Sequence, residues 1–494
     1  MTPTVGLRRA APVVTLCLLA GCASVTRTPA IGPSAPAAPA TSAPAGSPVA
    51  GALPSIPRAV AAAPKVDAPV RSEARVTLAA VGDVLMHDAV KRAAEARRAD
   101  APDGGYAWLF APIADLLGAA DLTFANLETP IAPQASQGSR AFVFNAPPAV
   151  IAALQRAGVD LVSVANNHAM DQGRRGFEET LRWLRSAGLP YVGAGPAPRA
   201  AGPVRLERNG LSLAFLGYTY GLNQGGNACP PAAAACEQVA ELDRARMVED
   251  VRAAAAAADA VVVSVHWGVE YQQAPRADEV ELAHRLADAG ALVVLGHHPH
   301  VLQPIELYRR PDGRTAVIAY SLGNFVSNQS RNYVAGVTPD AVAATRDGAL
   351  LRVTLARRDY GRGVEEVEVA GADFLPLWTE NDTVEIDRRK EPARRPAIRV
   401  VAVDRALASV RAELAALPDP LPEADRARYV ALRRREELYL ARRAAVAGVM
   451  GEDLLRTLGP AELAGPEAPA PAAPAAAPPP ARAAPAAATP SAAP

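Results

Sequence analysis

The sequence predicts an α/β protein in which helices pack in layers on a largely parallel sheet. Three observations support this prediction. Short apolar runs rich in β-branched residues alternate with amphipathic helical patterns from about residue 74 to 375. Polar residues follow each run at once, and segments rich in Ala and Pro flank the patterned region. Apolar runs of about four to eight residues are typical of strands buried on both faces.

The first element predicted along the chain is an N-terminal export signal. Two arginines precede an apolar run, residues 10–20, which is too short to span a bilayer but suits a secretory signal. The Leu-Ala-Gly-Cys sequence ending at Cys22 resembles the lipobox of bacterial lipoproteins, in which cleavage before the cysteine leaves that residue lipidated. An ordinary signal peptide with a chance cysteine is the alternative. We expect residues 1–21 to be a lipoprotein signal and the mature protein to face the periplasm, anchored by lipid. Ala23, which follows that cysteine in place of an acidic residue, resembles lipoproteins that are sent on to the outer membrane.

Two segments rich in Ala and Pro enclose the body of the protein. Residues 22–73 and 464–494 contain almost no aliphatic periodicity. Such sequences cannot bury enough apolar surface to offset the entropy lost on ordering, so we expect both to be disordered. The first would connect the globular body to a lipid anchor.

The predicted α/β domain covers residues 74–384. Its helical patterns have recognisable ends, since one begins on Pro147 and stops at Gly158, and another stops at Gly188. Its predicted strands lie within "ARVTLAAVGD", "ADLTFANLE", "VDLVSVANNH", "LSLAFLGY", "ADAVVVSVHWG", "GALVVLGHHPH" and "RTAVIAYSLGN".

Residues 385–463 differ in composition, being rich in Arg, Glu, Ala and Leu. Their pattern predicts a helical appendage, most simply a solvated helical hairpin packed on the main domain. A helix that binds a partner or a lipid surface is the alternative.

Charge and cysteine content narrow the classes of function. Lys+Arg and Asp+Glu number 51 each, so no overall field favours binding to nucleic acid. The mature body has two cysteines, Cys229 and Cys236, seven positions apart. In an oxidising compartment they are expected to form a local disulfide, because no further cysteine could complete a metal site.

Polar side chains collect where the predicted strands end. Six of the seven histidines follow a strand, and only His284 lies inside a helical pattern. The carboxyl ends of neighbouring strands in an open α/β sheet meet in one crevice, which is where such folds bind ligands. Imidazole together with carboxylate and amide oxygen suits zinc, manganese or iron. The residues at these positions are Asp83, His87, Asn126, Glu128, Asn166, Asn167, His168, His266, His297, His298 and His300.

These motifs resemble a known family when they are taken together and in order. "AVGDVLM", "FANLETP", "VANNHAMDQG", "VHWGVEY", "GHHPHVLQPIE" and "YSLGNFV" resemble the CapA family of capsule-synthesis, or poly-γ-glutamate synthesis, proteins. The resemblance extends from about residue 76 to 330. It implies a fold similar to calcineurin-like metallophosphoesterases, a four-layer αββα sandwich.

The resemblance also implies a site with two divalent metal ions, either Mn, Zn or Fe. His168 matches the catalytic histidine of the phosphoesterase Gly-Asn-His motif, and His297 corresponds to a neighbour of the ligands. Asn126, Asn166, His297 and Asn324 are expected to contact substrate, with Asn324 at the rim. The metal ligands that the resemblance implies are Asp83, Glu128, Asn167, His266, His298 and His300.

Two departures from the phosphoesterase pattern affect the expected chemistry. Asp83 is not followed by the usual Asp-x-His spacing, because the next histidine, His87, is four residues on and either reaches the site or is merely exposed. Glu128 stands where the metal-bridging aspartate would be, which lengthens that arm by a methylene. The fold could therefore persist while the classical phosphoesterase activity is lost.

The function that the resemblance implies is capsule or poly-γ-glutamate synthesis or export, with hydrolysis of a phosphoester or a γ-glutamyl linkage at the metal site. The alternative is a non-catalytic accessory protein that binds an anionic polymer or a capsule synthase. A serine hydrolase is disfavoured, because the residues after Ser321 are polar and broken by Gly and Pro, whereas a nucleophile elbow needs a helix there.

Overall fold

The structure is a computed structural model that describes residues 69–465, except for 101–102, 139–141, 197–201, 231–235 and 391–393. The predicted signal, Cys22, most of the first Ala/Pro segment and nearly all of the second lie outside the described residues. Among the residues described, no helix has the length and apolar character needed to cross a membrane.

Two large sheets form the centre of the molecule. The first has eight strands in the order β16-β15-β14-β1-β2-β3-β4, with β13 also paired to β1, and the second has six in the order β11-β12-β10-β9-β7-β6. Strands β5 and β8 form a small separate pair. The strands are β1 (Ser72–Val84), β2 (Leu122–Asn126), β3 (Leu161–Ser163), β4 (Tyr191–Val192), β5 (Ala194–Pro196), β6 (Val204–Arg208), β7 (Leu211–Thr219), β8 (Glu237–Val239), β9 (Ala260–His266), β10 (Ala291–His297), β11 (Ile305–Arg309), β12 (Thr315–Ala319), β13 (Asn324–Val326), β14 (Asp347–Asp359), β15 (Glu365–Asn381) and β16 (Ile398–Ala402).

The two sheets pack face to face through one apolar core. Alternate residues of each strand point between the sheets, so that Phe124 of β2 stacks on Phe215 of β7 with ring centroids 6.5 Å apart. Burying a side chain of this size contributes about 1.5–3 kcal/mol. Other members of this core are Val76, Leu78, Leu161, Val262, Leu295 and Leu351.

Helices cover the outer face of each sheet. Side chains of α1, α3 and α4 pack on the eight-stranded sheet, and those of α5 and α6 pack on the six-stranded sheet. The order of layers is therefore helix, sheet, sheet, helix, which confirms the predicted four-layer α/β sandwich. The helices are α1 (Asp88–Glu95), α2 (Ala114–Gly118), α3 (Ala149–Arg156), α4 (Gly173–Ala187), α5 (Arg244–Ala255), α6 (Ala277–Ala289), α7 (Thr383–Arg389), α8 (Val403–Ala415), α9 (Arg426–Met450) and α10 (Pro460–Ala464).

The sequence patterns located the central elements but missed the long antiparallel strands. All seven predicted strands are present, as are the helices that were expected to end near Gly158 and Gly188. Gly188 ends α4 in the left-handed conformation, at φ 67°, which glycine adopts without steric cost. The sequence did not predict β14 and β15, which extend the eight-stranded sheet beyond β1.

The C-terminal segment contains the predicted helices and one strand in addition. Residues 385–463 include the expected helices α8 and α9, which pack against each other and against Trp378. They also include β16, which pairs antiparallel with the end of β15 and forms an edge of the eight-stranded sheet. The sequence did not predict this one strand, because a five-residue apolar run becomes a strand only when a partner strand supplies its hydrogen bonds.

Candidate metal site

The strand ends of the two sheets meet at one edge of the sandwich. In the first sheet Asp83 is in register with Asn126, and in the second His266 is in register with His297. The sheets approach so closely here that Nδ2 of Asn126 lies 2.8 Å from Oδ1 of Asp83 and 3.3 Å from Nδ1 of His266. Residues spread over more than half of the domain therefore share one buried cluster.

Asp83 is fully buried and surrounded by histidines. Its Oδ1 lies 3.2 Å from Nδ1 of His297, and its Oδ2 lies 3.1 Å from Nδ1 of His300. The backbone N–H of His298 is also directed at Oδ2, at 3.4 Å. Burial alone would raise the pKa of the Asp83 carboxyl, but the contacts with His297 and His300 hold that pKa well below its usual value. Asp83 is therefore an ionised acceptor at neutral pH.

Glu128 lies beside this aspartate with both carboxylate oxygens lacking a hydrogen-bond partner among the described residues. The side chain is completely buried, and its Oε1 lies 3.4 Å from Nε2 of His266 and 4.0 Å from Nε2 of His168. Burial first, and then the charge of Asp83, raise the pKa of Glu128 well above its usual value. A buried carboxylate without partners costs free energy unless a cation or a proton accompanies it.

Two histidines of the cluster, His266 and His298, are held neutral. Burial, followed by the neighbouring imidazole of His298, lowers the pKa of His266 well below its usual value. Burial and His300 lower the pKa of His298 to about 4. Neutral imidazole is the form that binds a metal ion, because a protonated ring has no free lone pair.

Three overlapping sets of side chains have the spacing needed to hold a metal ion. Within each set the ligand atoms lie within 4.8 Å of one another. Like the oxygens of Glu128, Nδ1 of His298 lacks a hydrogen-bond partner in the described part of the chain. The donor chemistry and these orphaned buried atoms fit divalent cations. The sets are Glu128 with His266 and His298, Glu270 with His298 and His300, and Asp83 with Glu128 and His300.

Close backbone approaches shape the site. A Cβ on Gly296 would lie 1.8 Å from the carbonyl oxygen of Tyr320, so only glycine fits in β10 just before the histidines. After it, His298 and His300 adopt positive φ angles of 97° and 58°. Such angles are rare for residues with a side chain and cluster at functional sites. This backbone brings both imidazoles to the same side as Asp83.

Asn167 and Asn166 extend the cluster toward the first sheet. Oδ1 of Asn167 lies 3.0 Å from Nε2 of His266, while Nδ2 of Asn166 donates to the carbonyl of Leu127 at 2.9 Å. Asn166 also lies 3.4 Å from Asn126. Asn167 therefore lies beside His266, whereas Asn126 and Asn166 are buried and hydrogen-bond to Asp83, to each other and to the backbone.

His168 and Asp171 form a pair next to the cluster. Nδ1 of His168 lies 2.8 Å from Oδ2 of Asp171, which also accepts the backbone N–H of Phe144 at 2.7 Å. The ring of Phe144 packs on His168 with centroids 4.6 Å apart. These contacts fix the orientation of the imidazole and leave Nε2 directed toward Glu128, 4.0 Å away.

The remaining predicted site residues occupy supporting positions. His297 is fully buried against the ring of Phe124 and contacts Asp83. Asn324 is buried rather than at a rim, and its Nδ2 donates to the carbonyls of His300 and Thr345. His87 lies at the margin, where its ring contacts Phe144 edge-on at 4.8 Å. Cys229 and Cys236 form a disulfide with Cα atoms 5.7 Å apart.

Sequence reasoning missed three residues of this region. Glu270 belongs to one of the metal-binding sets but is exposed, in a motif that was noted only for His266. Asp171 was passed over although it follows His168 by three residues, a spacing that could have indicated the pair. Tyr220 lies over the site with its ring 4.7 Å from that of His298, and no local pattern signals this contact.

Fold and cluster define the class of protein: a four-layer α/β protein with a buried candidate site for divalent metal ions between its two sheets. A family model described as "Bacterial capsule synthesis protein PGA_cap" matches residues 77–329. The chain belongs to this family of bacterial capsule synthesis proteins, which confirms the CapA resemblance.

Individual relatives agree with this assignment. The PGA biosynthesis protein CapA of Bacillus subtilis (strain 168) is 32% identical over 302 residues, which cover 60% of this chain and 72% of that protein. The capsule biosynthesis protein CapA of Bacillus anthracis is 31% identical over 304 residues, or 60% of this chain and 67% of the relative. A probable polyglutamine synthesis accessory protein of Mycobacterium tuberculosis (strain CDC 1551 / Oshkosh) is 31% identical over 207 residues, which cover 39% of this chain and 53% of that protein.

Among solved structures, the calcineurin-like phosphoesterase YfkN from Bacillus subtilis aligns with 62% of this chain and 91% of its own, at 13% identity and a TM-score of 0.33.

Proposed function

We propose that this chain is a metal-dependent hydrolase of the cell envelope that acts in capsule or poly-γ-glutamate synthesis and cleaves a phosphoester or a γ-glutamyl linkage. The observation that carries the proposal is the buried side chain of Glu128, whose oxygens accept no hydrogen bond from any described residue and which forms one candidate ligand set with the neutral imidazoles of His266 and His298. A stable fold tolerates such a group most readily where a cation binds.

The residues that would hold two divalent ions are those of the cluster. Asp83, Glu128 and His300 offer one set of ligands, and His266 with His298 completes the second around the shared Glu128. Ions bound there would act as Lewis acids on the reacting group and would lower the pKa of water. Mn, Zn and Fe all accept this mixture of nitrogen and oxygen donors.

The residues of the chain itself would supply orientation and proton transfer. Asp171 accepts from Nδ1 of His168, and Nε2, which lies 3.5 Å from Nδ2 of Asn223, would take up a proton from water and then pass it to the leaving group. Asn167 and Tyr220 lie beside the cluster, and the side-chain amide of Asn167 would donate to an oxyanion there.

The experiment measures metal content and turnover together. The purified protein, reconstituted with Mn²⁺, Zn²⁺ or Fe²⁺, is assayed on a generic phosphodiester and on a γ-glutamyl peptide. We expect Asp83→Ala and His298→Ala to remove both bound metal and turnover. His284→Ala is the matched control, because His284 lies on α6, outside the cluster, and pairs with Glu306 of β11. Turnover that survives loss of the metal would refute the proposal.

A non-catalytic accessory role is the second candidate, and it is favoured by the similarity to the probable polyglutamine synthesis accessory protein of Mycobacterium tuberculosis. In that role the chain would bind an anionic polymer such as poly-γ-glutamate, or a capsule synthase complex. Metal bound in full, with no turnover of any ester or γ-glutamyl peptide, would favour this role over the enzyme.

We further propose that the protein is a periplasm-facing lipoprotein, anchored through Cys22 to the outer membrane. The support is the Leu-Ala-Gly-Cys sequence after a short apolar run. Fractionation of cells tests it: Cys22→Ser should move the protein from the membrane fraction to the soluble fraction. Retention of the variant in the membrane would contradict lipid anchoring.

A further inference from the structure

A second cavity, separate from the metal cluster, lies between α7, α9 and the loop before β14. Its volume is about 410 Å³. We call it the arginine pocket. Cationic and aromatic side chains dominate its lining: Arg346, Arg388, Arg434, Arg435, Tyr333 and Trp378.

Arg346 forms the buried part of this lining. Only 5% of the residue is exposed, and its guanidinium carbon lies 4.3 Å from the centre of the Trp378 ring. Its Nε donates to the carbonyl of Thr379 at 2.8 Å, and within the described part of the chain its two terminal nitrogens donate no hydrogen bond. Burial lowers the pKa of Arg346 to about 10, so the group remains charged at neutral pH.

The carboxylates nearest to Arg346 are bound to other groups. Glu380 accepts from Nε of Arg399 at 2.7 Å and from the hydroxyl of Tyr439 at 2.6 Å. Asp347 accepts from Nη1 of Arg442 at 3.3 Å. Neither approaches Arg346 within ion-pair distance in the described structure, so this buried cation lacks a direct counter-ion.

The rim of the arginine pocket adds further positive charge. Arg388 and Arg434 are exposed and form no ion pair with any residue that the structure describes. Arg435 lies 3.7 Å from Glu413. One carboxylate, that of Glu385, lines the same cavity against four guanidinium groups. An anion entering the pocket would therefore meet a net positive field and planar donors that suit a carboxylate.

We propose that the arginine pocket binds a carboxylate carried on an aliphatic chain. Arg346 would hold the carboxylate with its two free terminal nitrogens, Arg434 would attract it from the rim, and methylene groups would pack on Trp378 and Leu438. The apolar part of the lining favours such a ligand over a bare inorganic anion.

Hydrogen bonds of Asn324 connect the backbone beside the pocket with that of the metal cluster. Arg346 follows Thr345, whose carbonyl accepts from Asn324, and the same amide of Asn324 donates to His300. On the other side, Asn381 lines the pocket and donates to Asn328 at 2.9 Å. A chain of repeated carboxylates could thus be held in the pocket while another unit reaches the cluster. This extension rests on the proposed function, whereas the binding of a carboxylate does not.

The test is calorimetric titration of the full-length protein with a γ-linked glutamyl oligomer, with glutarate and with inorganic phosphate. We expect Arg346→Gln to raise the Kd for the oligomer at least tenfold and Arg434→Gln about threefold, since each removes charge-assisted hydrogen bonds. Arg426→Gln is the matched control. Arg426 is on α9, as Arg434 is, but it does not line the pocket and instead pairs with Glu423 at 2.9 Å.

Each outcome decides the proposal. If Arg346→Gln fails to fold by circular dichroism, the exposed Arg434→Gln and its charge reversal Arg434→Glu carry the test alone. If the arginine variants bind the oligomer as tightly as the wild type does, and Asp83→Ala abolishes binding, the ligand binds only at the metal cluster. That result would overturn the proposal. Equal affinity for phosphate, or no binding of either carboxylate, would also overturn it.

The proposed function can fail separately. If the wild-type protein turns over no substrate, yet still binds the oligomer in a manner that depends on Arg346, hydrolysis is refuted and the arginine pocket stands.

Discussion

Replacing Glu128 by glutamine should affect the metal-free and metal-bound protein in opposite directions. In the metal-free protein the Glu128 carboxylate is buried beside Asp83, and neither oxygen has a hydrogen-bond partner among the described residues. Burial keeps the Glu128 carboxyl protonated near neutral pH, so folding requires it to take up a proton that the unfolded chain has lost. Glutamine has nearly the same shape and requires no such proton. We therefore expect Glu128→Gln to stabilise the metal-free protein and to weaken the binding of divalent ions.

The magnitude follows from the burial of this group. Taking up that proton on folding costs about 1.4 kcal/mol for each pH unit above the usual pKa, and the unpartnered amide of the variant cancels part of the gain. Glu128→Gln should accordingly raise the free energy of unfolding in EDTA by about 1–3 kcal/mol. Because Glu128 belongs to two of the three candidate ligand sets, the same change should weaken metal binding at least tenfold.

Denaturant unfolding in EDTA and in excess Mn²⁺ or Zn²⁺ measures both effects. Glu179→Gln is the matched control, because Glu179 is equally buried but accepts the backbone N–H groups of Gln134 and Ala135 at 3.0 and 2.7 Å. That variant should be destabilised with or without metal. The reasoning would be refuted if Glu128→Gln destabilised the protein in EDTA and left its metal affinity unchanged.

Three further changes have defined outcomes. Asp171→Asn should lower kcat about 10- to 100-fold without loss of metal, because His168 loses the partner that orients it; equal kcat, with metal content measured alongside, would contradict this. Replacing Cys229 and Cys236 by serine should lower the free energy of unfolding by about 2–3 kcal/mol through the freed seven-residue loop, which unfolding under non-reducing conditions checks. Burial raises the pKa of Asp347 to about 7, so the native state retains a proton that the unfolded chain loses above about pH 4, and stability falls as pH rises toward 7. The free energy of unfolding of Asp347→Asn, relative to that of the wild type, should therefore rise by about 2–3 kcal/mol from pH 5 to pH 8. A difference that does not change with pH would disprove the raised pKa of Asp347.

Local pattern was sufficient for the parts of the fold that are buried on both faces. β9 and β10 are continuous apolar runs in which every residue is buried, so their period and length identify them without knowledge of their neighbours. β15 is different, because more than half of its residues are only partly buried and many are charged. Its strand conformation depends on pairing with β14 and β16, which the sequence does not display.

The same division applies to the candidate site. Asp83, His266 and His298 follow apolar runs, and the geometry of parallel strands brings their ends together. The exposed Glu270 gives no such signal, since its relevance depends on how a loop returns over the cluster. His297 ends the strand that His298 and His300 follow, yet only the packing of the two sheets places it against Asp83.

The sequence alone determined which segments are buried, with what period, and which chemical groups follow them. These properties are local, because hydrophobic periodicity and the residue after a strand are set by consecutive positions. Tertiary structure alone decided which distant groups touch. It leaves the oxygens of Glu128 without a hydrogen bond from any described residue, and it brings Arg346, Trp378 and Arg434 together around one pocket. Those contacts depend on strand register and helix packing, which are set by the whole core at once and not by any single segment.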